Sequence, residues 1–298
     1  MKRRNSAKGA KGEGFRPKHS LGQNFLLEDS LVSSLAELSL AGPEDCVLEI
    51  GPGMGTMTRQ LALRCRRLVA IEVDRSLEPY LNAALSGLSN AEVRYADVMR
   101  TDLKALGAEL SGQGPLRIAA NLPYYITTEI LKQCLKELPQ ARSMAFMVQK
   151  EVADKLLSDP GQEGYGPLPI LCQRGYTIAR AMEVEKERFT PSPHVDSTFV
   201  VLERRKVPLC PVQSEEGFAR MLHGLFLQRR KTLINGLAGQ CGLTREEALE
   251  LVRRAGFSDT VRAEALPIEA LCRLSDLLEE GRREGAGAKR AEKAETLP

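Results

Sequence analysis

Short apolar runs bounded by glycine, proline or acidic residues alternate with stretches of helical spacing over the first two thirds of the chain. Residues 46–50, 68–73, 92–95, 116–120 and 144–148 read as five strands, each too short and too evenly apolar for an amphipathic helix. Between them, residues 28–40 repeat Leu31, Leu35 and Leu38 at helical intervals. Residues 56–66, 76–85 and 127–138 carry the same period. Strands alternating with helices predict a parallel sheet covered on both faces, an α/β fold. Residues 176–185 and 197–203 read as two later strands, a pair at one edge. Beyond residue 206 the strand signal stops. A Val-Pro-Leu-Cys-Pro linker at 207–211 leads into helical patterns at 215–227, 230–237, 244–255 and 267–280. The chain therefore divides into a disordered basic arm (1–18), an α/β domain (19–206), a helical domain (207–280) and a charged, disordered tail (281–298).

The first strand ends in Glu49-Ile50-Gly51-Pro52-Gly53-Met54-Gly55 and opens a helix. Glycines let the backbone turn sharply and come close to a ligand. A dinucleotide-binding turn spaces its glycines G-x-G-x-x-G, but here the last of those positions is Thr56. The pattern E-x-G-x-G-x-G suits a ligand with no pyrophosphate to cradle. Glu72, at the end of the second strand, lies 21 residues beyond Gly51, where a carboxylate can accept from both hydroxyls of a ribose. Asp97 follows the third strand at the same edge of the sheet, within reach of an adenine amino group. The joint order predicts a nucleoside lying across three strand ends.

The fourth strand runs into Asn121-Leu122-Pro123-Tyr124. An exocyclic adenine amine is a poor nucleophile, because its lone pair is delocalised into the ring. The Asn121 side-chain oxygen and the Leu122 carbonyl can accept its two hydrogens and localise that pair. Pro123 stiffens the turn and offers no competing N–H. Tyr124 supplies a ring on which a splayed-out base stacks, worth ~1–3 kcal/mol. No general base is required, since the ammonium formed by alkylation loses its proton to water.

Charge sharpens this picture. The net charge is only +3, but residues 1–18 hold seven cations (Lys2, Arg3, Arg4, Lys8, Lys11, Arg16, Lys18) against Glu13 alone, an arm suited to a polyanion. Arg229, Arg230 and Lys231, with Arg220, Arg253 and Arg254 in the same helical region, mark a phosphate-backbone patch. No apolar run reaches the ~18 residues that span a bilayer, so no membrane is expected. Seven cysteines stand singly without C-x-x-C pairs, which argues for free thiols in a reducing cytoplasm and against a disulfide framework or a metal site. His19, His194 and His223 show no ligand spacing.

These motifs resemble, in order and from about residue 18 to 278, the bacterial small-subunit rRNA adenine N6,N6-dimethyltransferases. Gln23-Asn24-Phe25-Leu26 looks like that family's opening motif, where Asn24 and Leu26 would contact the cofactor. Residues 47–55 look like its glycine motif, so Gly51, Gly53 and Gly55 would join Glu72, Asp97 and Asn121 in holding S-adenosylmethionine. Phe189-Thr190-Pro191-Ser192-Pro193-His194-Val195-Asp196-Ser197 is similar to its F-x-P-x-P-x-V-D-S segment, whose Phe189 would sandwich the target base with Tyr124. Residues 226–233 resemble its basic helix. The resemblance implies a Rossmann-like S-adenosylmethionine-dependent methyltransferase fold of seven strands with a small helical domain. It also implies a monomer acting on 16S rRNA in the small ribosomal subunit or its precursor, at two adjacent adenines near the 3′ end. Two departures, Lys18-His19-Ser20-Leu21 before the opening motif and Leu227 in the basic helix, bear on RNA contacts. Large-subunit methyltransferases share the Q-N-F and N-x-P-Y motifs, but the F-T-P-S-P-H-V-D-S and Q-R-R-K segments favour the small-subunit family. An assembly factor without catalysis is disfavoured by intact Asn121 and Tyr124, and a dehydrogenase by Thr56.

Overall fold

The computed structural model describes residues 17–18 and 21–295, with side chains through residue 283. The order begins β1 (Phe25–Leu26), α1 (Asp29–Leu38), β2 (Cys46–Ile50), α2 (Thr56–Ala62), β3 (Arg67–Glu72), α3 (Glu78–Ala84), β4 (Ala91–Tyr95), α4 (Leu103–Ser111), β5 (Leu116–Asn121), α5 (Thr127–Glu137) and β6 (Ser143–Gln149). It continues with α6 (Lys150–Leu156), α7 (Pro167–Gly175), β7 (Tyr176–Val184), β8 (Phe189–Thr190), β9 (Ser197–Arg204), α8 (Glu215–Leu227), α9 (Leu233–Gln240), α10 (Arg245–Arg254) and α11 (Ile268–Glu295). Seven strands form one sheet in the order β4-β3-β2-β5-β6-β9-β7. The pairs from β4 to β6 are parallel, while β9 runs antiparallel to both β6 and β7. The two late strands thus form the expected edge pair, with β9 inside. The chain order reverses between β2 and β5, and the crevice over their carboxyl ends is where open α/β sheets bind ligands.

Every residue of β2 is buried, as a strand covered on both faces requires. Alternate residues feed opposite faces. Leu48 and Ile50 join Ile118 and Phe146 on one side. Val47 packs with Leu68, Ala119 and the α1 residues Val32 and Leu35 on the other. The helix α4 escaped the sequence reading, although Leu103, Leu106, Gly107 and Leu110 are buried at helical spacing behind an Asp102 cap. Its mid-helix glycine reads as a breaker in sequence. In space, a Cβ at Gly107 would fall 2.3 Å from the Leu138 Cδ2, so the glycine lets the end of α5 approach.

The helical part has its own core, built from Phe218, Leu222, Leu237, Val252, Leu271 and Leu274 among others, and Tyr165 and Ile170 of the α/β part belong to it. The Tyr165 hydroxyl donates to the Leu266 carbonyl at 2.9 Å, and Arg174 donates to the Cys210 carbonyl at 2.8 Å. The second core therefore reaches across the 206/207 boundary drawn from composition.

The fold departs from the sequence pattern at three points. Cys210 and Cys272 are joined in a disulfide, where only free thiols were expected. The two lie 62 positions apart, so no spacing motif announces a bridge that the packing of the linker on α11 creates. The last helix does not stop at Gly281 before a disordered tail but continues to Glu295. Residues 282–295 contain no proline and are rich in Ala, Glu, Lys and Arg, all strong helix formers. Finally, Arg229 and Arg230 lie in a turn, and the helix expected from residue 230 begins at Leu233 behind the Thr232 cap. Arg229 is engaged internally: it pairs with Glu264 and donates to the Glu163 carbonyl and, at 2.7 Å, to the Gln162 carbonyl. Residues 1–16, most of the basic arm, lie outside the described residues.

Candidate active site

Over the carboxyl ends of β2, β3 and β5 lies a cavity of about 300 Å³. The glycine turn makes its floor. Gly51 and Gly53 have φ of +71° and +59°, conformations an L side chain rarely adopts. A Cβ at Gly53 would stand 3.1 Å from the Phe25 ring, so the loop and β1 close on each other only without a side chain there. Gly55 serves differently: it caps α2 at φ +82°, and a Cβ would lie 2.8 Å from the Ala84 Cβ of α3. It packs behind the turn and is not among the residues that line the cavity, where the sequence pattern places it with Gly51 and Gly53.

Glu72 is buried at the end of β3 and accepts from two backbone amides, Gly53 at 3.2 Å and Asp74 at 2.8 Å. These bonds aim the carboxylate while leaving each oxygen capacity for another donor. Burial raises its pKa, and the Asp74 and Gly53 amides oppose the rise. Asp97 follows β4, exposed at the cavity, with one oxygen capping Met99 at 2.9 Å.

Sequence reading gave no role to Glu49, whose signal was the leading acid of E-x-G-x-G-x-G. It lines the cavity, is wholly buried, and neither carboxylate oxygen has a hydrogen-bond partner. Burial pushes its pKa up to about 8, tempered by the nearby Thr58 hydroxyl and increased by the charge of Glu72. Among the described residues, the ionisable side chains lining the cavity are the carboxyls of Glu49, Glu72 and Asp97, with no lysine, arginine or histidine, and burial keeps Glu49 protonated at neutral pH. A low-dielectric pocket so lined repels a pyrophosphate and attracts a cation.

The roof is an N-terminal strap, Leu21–Leu26 in the opening motif, which sequence reading credited only at Asn24 and Leu26. Its anchor is Asp74. Lys18 Nζ lies 2.6 Å from one Asp74 oxygen, and Gln23 Nε2 lies 2.9 Å from the other. Burial disfavours the Asp74 charge, but hydrogen bonds from Lys18, Ser76 and Gln23 outweigh it and hold the carboxyl down at about 2. Thr56 donates to the Leu26 carbonyl at 2.9 Å, and β1 pairs with β8.

Asn121 ends β5 on the cavity wall with Leu122 and Pro123. Its Nδ2 donates to the Asn24 carbonyl at 3.4 Å, which leaves Oδ1 as the acceptor end. The strap thus orients the amide that β5 presents. The Tyr124 hydroxyl meets the Ser197 Oγ at 2.6 Å, and the half-buried ring stands beside the wall rather than in it. Phe189 is only 3% exposed, packed in the core of α1 and β9, and does not reach the cavity. Its strand pairs with β1, and that pairing turns the ring inward, against the base-sandwiching role the resemblance implied. No cluster of metal-ligating residues occurs among the described residues. None of their helices is long and apolar enough to cross a membrane.

A family profile described as ribosomal RNA adenine dimethylase matches residues 14–280. Two similar proteins are both called ribosomal RNA small subunit methyltransferase A. One from Ligilactobacillus salivarius is 39% identical over 269 residues, 89% of this chain and 91% of its own. One from Listeria monocytogenes serotype 4a is 40% identical over 270 residues, 89% of this chain and 92% of its own. Among solved structures, a dimethyladenosine transferase from Plasmodium falciparum is similar in fold, with TM-score 0.72 at 20% identity over 88% of this chain and 98% of that one. The 23S rRNA methyltransferase ErmE gives 0.64 at 27% identity over 86% of this chain and all of the other.

Proposed function

The chain belongs to the ribosomal RNA adenine dimethylase family, and we propose that it transfers methyl groups from S-adenosylmethionine to N6 of two adjacent adenines near the 3′ end of 16S rRNA, giving N6,N6-dimethyladenine. It does so as a cytoplasmic monomer, on the small subunit or its precursor. The observation that carries this reading is a cavity walled by three acidic side chains and no basic one, with the Asn121 amide at its rim. Such a pocket fits a nucleoside that bears positive charge and disfavours the dinucleotide of the dehydrogenase reading. Glu72 would hold the ribose, Asp97 the adenine amine, and Asn24, Leu26, Gly51 and Gly53 the remainder, with the unpartnered Glu49 facing the charged end. When bound, S-adenosylmethionine supplies an electrophilic methyl group on a good leaving group.

The protein's own work is positioning. Asn121 Oδ1 and the Leu122 carbonyl accept the two N6 hydrogens, which draws the nitrogen lone pair out of conjugation. Pro123 holds the turn, and the Ile126 amide and the Thr127 hydroxyl both donate to its carbonyl, at 3.2 and 3.1 Å. Tyr124, fixed by Ser197, offers its exposed side to the target base. The proton released from N6 passes to water.

Undermethylated small subunits incubated with the protein and labelled S-adenosylmethionine should gain label on two adjacent adenines. Absence of label, or label on large-subunit RNA instead, overturns the reading. Glu72→Ala should weaken binding of the cofactor by about 2–3 kcal/mol, since two hydroxyls lose a charged acceptor. Calorimetry giving an unchanged Kd would mean that Glu72 serves only the turn. In the helical domain, the geometry separates neighbouring arginines. Arg230→Ala with Lys231→Ala should flatten the salt dependence of subunit binding by up to about two units. Arg229→Ala should instead lower the melting temperature, because it frees Glu264 and two carbonyls. Equal salt slopes for wild type and the double variant would make this turn a solvated face.

A further inference from the structure

Tyr125 follows the catalytic tetrapeptide, and nothing in the reaction described above uses it. The residue is 66% exposed, yet it lines the cavity alongside Asn121 and Pro123. It is also held in place. Gly22 of the strap has φ +58°, and a Cβ there would lie 3.2 and 3.3 Å from two carbons of the ring. The strap backbone therefore backs the ring closely, with the other side left to solvent. A large, supported and solvent-facing ring at the rim of a site for RNA bases has the form of a stacking platform. It stands outside the pocket that must admit the target amine to Asn121, so the base it meets is a different one.

Resting on the rRNA methyltransferase reading, we infer that Tyr125 is a substrate-positioning residue that stacks the base next to the adenine being methylated. The ring holds the flanking nucleotide at the mouth while its neighbour is presented to Asn121. Because adjacent adenines are modified in turn, the same platform serves whichever one waits outside.

The test is a cycle on reconstituted small subunits whose 16S rRNA carries either an intact or an abasic nucleotide beside the target. Tyr125→Ala should raise KM for intact subunits about five- to a hundredfold, with kcat at saturation and the Kd for S-adenosylhomocysteine near wild type. Tyr125→Phe should behave as wild type, and Tyr125→Leu as the alanine variant. On abasic subunits wild type should show the same penalty, and Tyr125→Ala should add nothing to it. Multiplying penalties would overturn the inference, because the ring would then meet some other base. So would Tyr125→Leu matching wild type, or a loss of cofactor binding equal to the loss in KM. If wild type labels the adenines and Tyr125→Ala matches it, the inference alone falls. If wild type labels none, the functional reading falls and takes the inference with it.

Discussion

Asn121→Ala should reduce kcat by roughly a thousandfold, the scale set by removing one preorganised polar contact at a reacting centre. The substitution deletes the acceptor that localises the amine lone pair. It also deletes the donor that ties β5 to the strap through the Asn24 carbonyl. The second loss is small, since at 3.4 Å the bond is long and weak. Binding of S-adenosylhomocysteine should therefore weaken by only a few-fold while transfer nearly stops. Single-turnover transfer to undermethylated subunits, with the Kd measured in parallel, separates the two. A variant that turns over near the wild-type rate would remove Asn121 from the chemistry.

Glu49→Gln should make the cofactor-free protein more stable at alkaline pH, by up to about 4 kcal/mol near pH 8 to 9. The folded chain holds the Glu49 proton up to about pH 8, whereas an unfolded glutamate releases it near 4.5. Below 4.5 both states are protonated and the contribution to stability is fully present. As pH rises toward 8, the unfolded state gains from ionising and the folded state does not, so stability is lost across that window. Glutamine keeps the shape without the proton. Unfolding curves of variant and wild type should coincide near pH 5 and diverge steadily above it. Glu72 shifts in the same direction, so the variant retains part of the slope. Parallel curves across pH 5–8.5 would mean that Glu49 is solvated and its burial breathes open.

The sheet was legible because its signal is local. Fully buried parallel strands such as β2 read as apolar runs, and turn glycines and strand-end acids have fixed spacings, so Glu72, Asp97 and Asn121 could be placed before any coordinates. The rest depends on contacts between distant segments. Whether Phe189 faces a ligand or the core is decided by its pairing with Leu26, and no pattern near residue 189 contains that information. Arg229 reads as a phosphate contact until Glu264 and the loop at 162–163 are folded against it. Tyr124 and Tyr125 are neighbours of one type, and only the turn after β5 sends one to Ser197 and the other to the rim. Glu49 was visible as a letter in a motif, but its lack of partners is a property of three dimensions.

The strap gives the cavity a history as well as a shape. Its roof is made before its walls: the contact to Asn121 spans 97 positions, and the β1–β8 pairing waits for Thr190. Loop closure over such spans costs entropy that grows with the logarithm of their length, so these contacts form later than the local ones. A nascent chain that has emerged through α5 already holds the strap, the glycine turn, Glu72, Asp97 and Asn121, but not β8, the strand that pairs with β1 at the end of the strap. Chains emerge at about 5–20 residues per second. A ligand-binding pocket therefore matures seconds after its floor, and occupancy then favours the completed form by mass action. Capture of ligand in this protein is thus tied to the arrival of β8 and its pairing with β1.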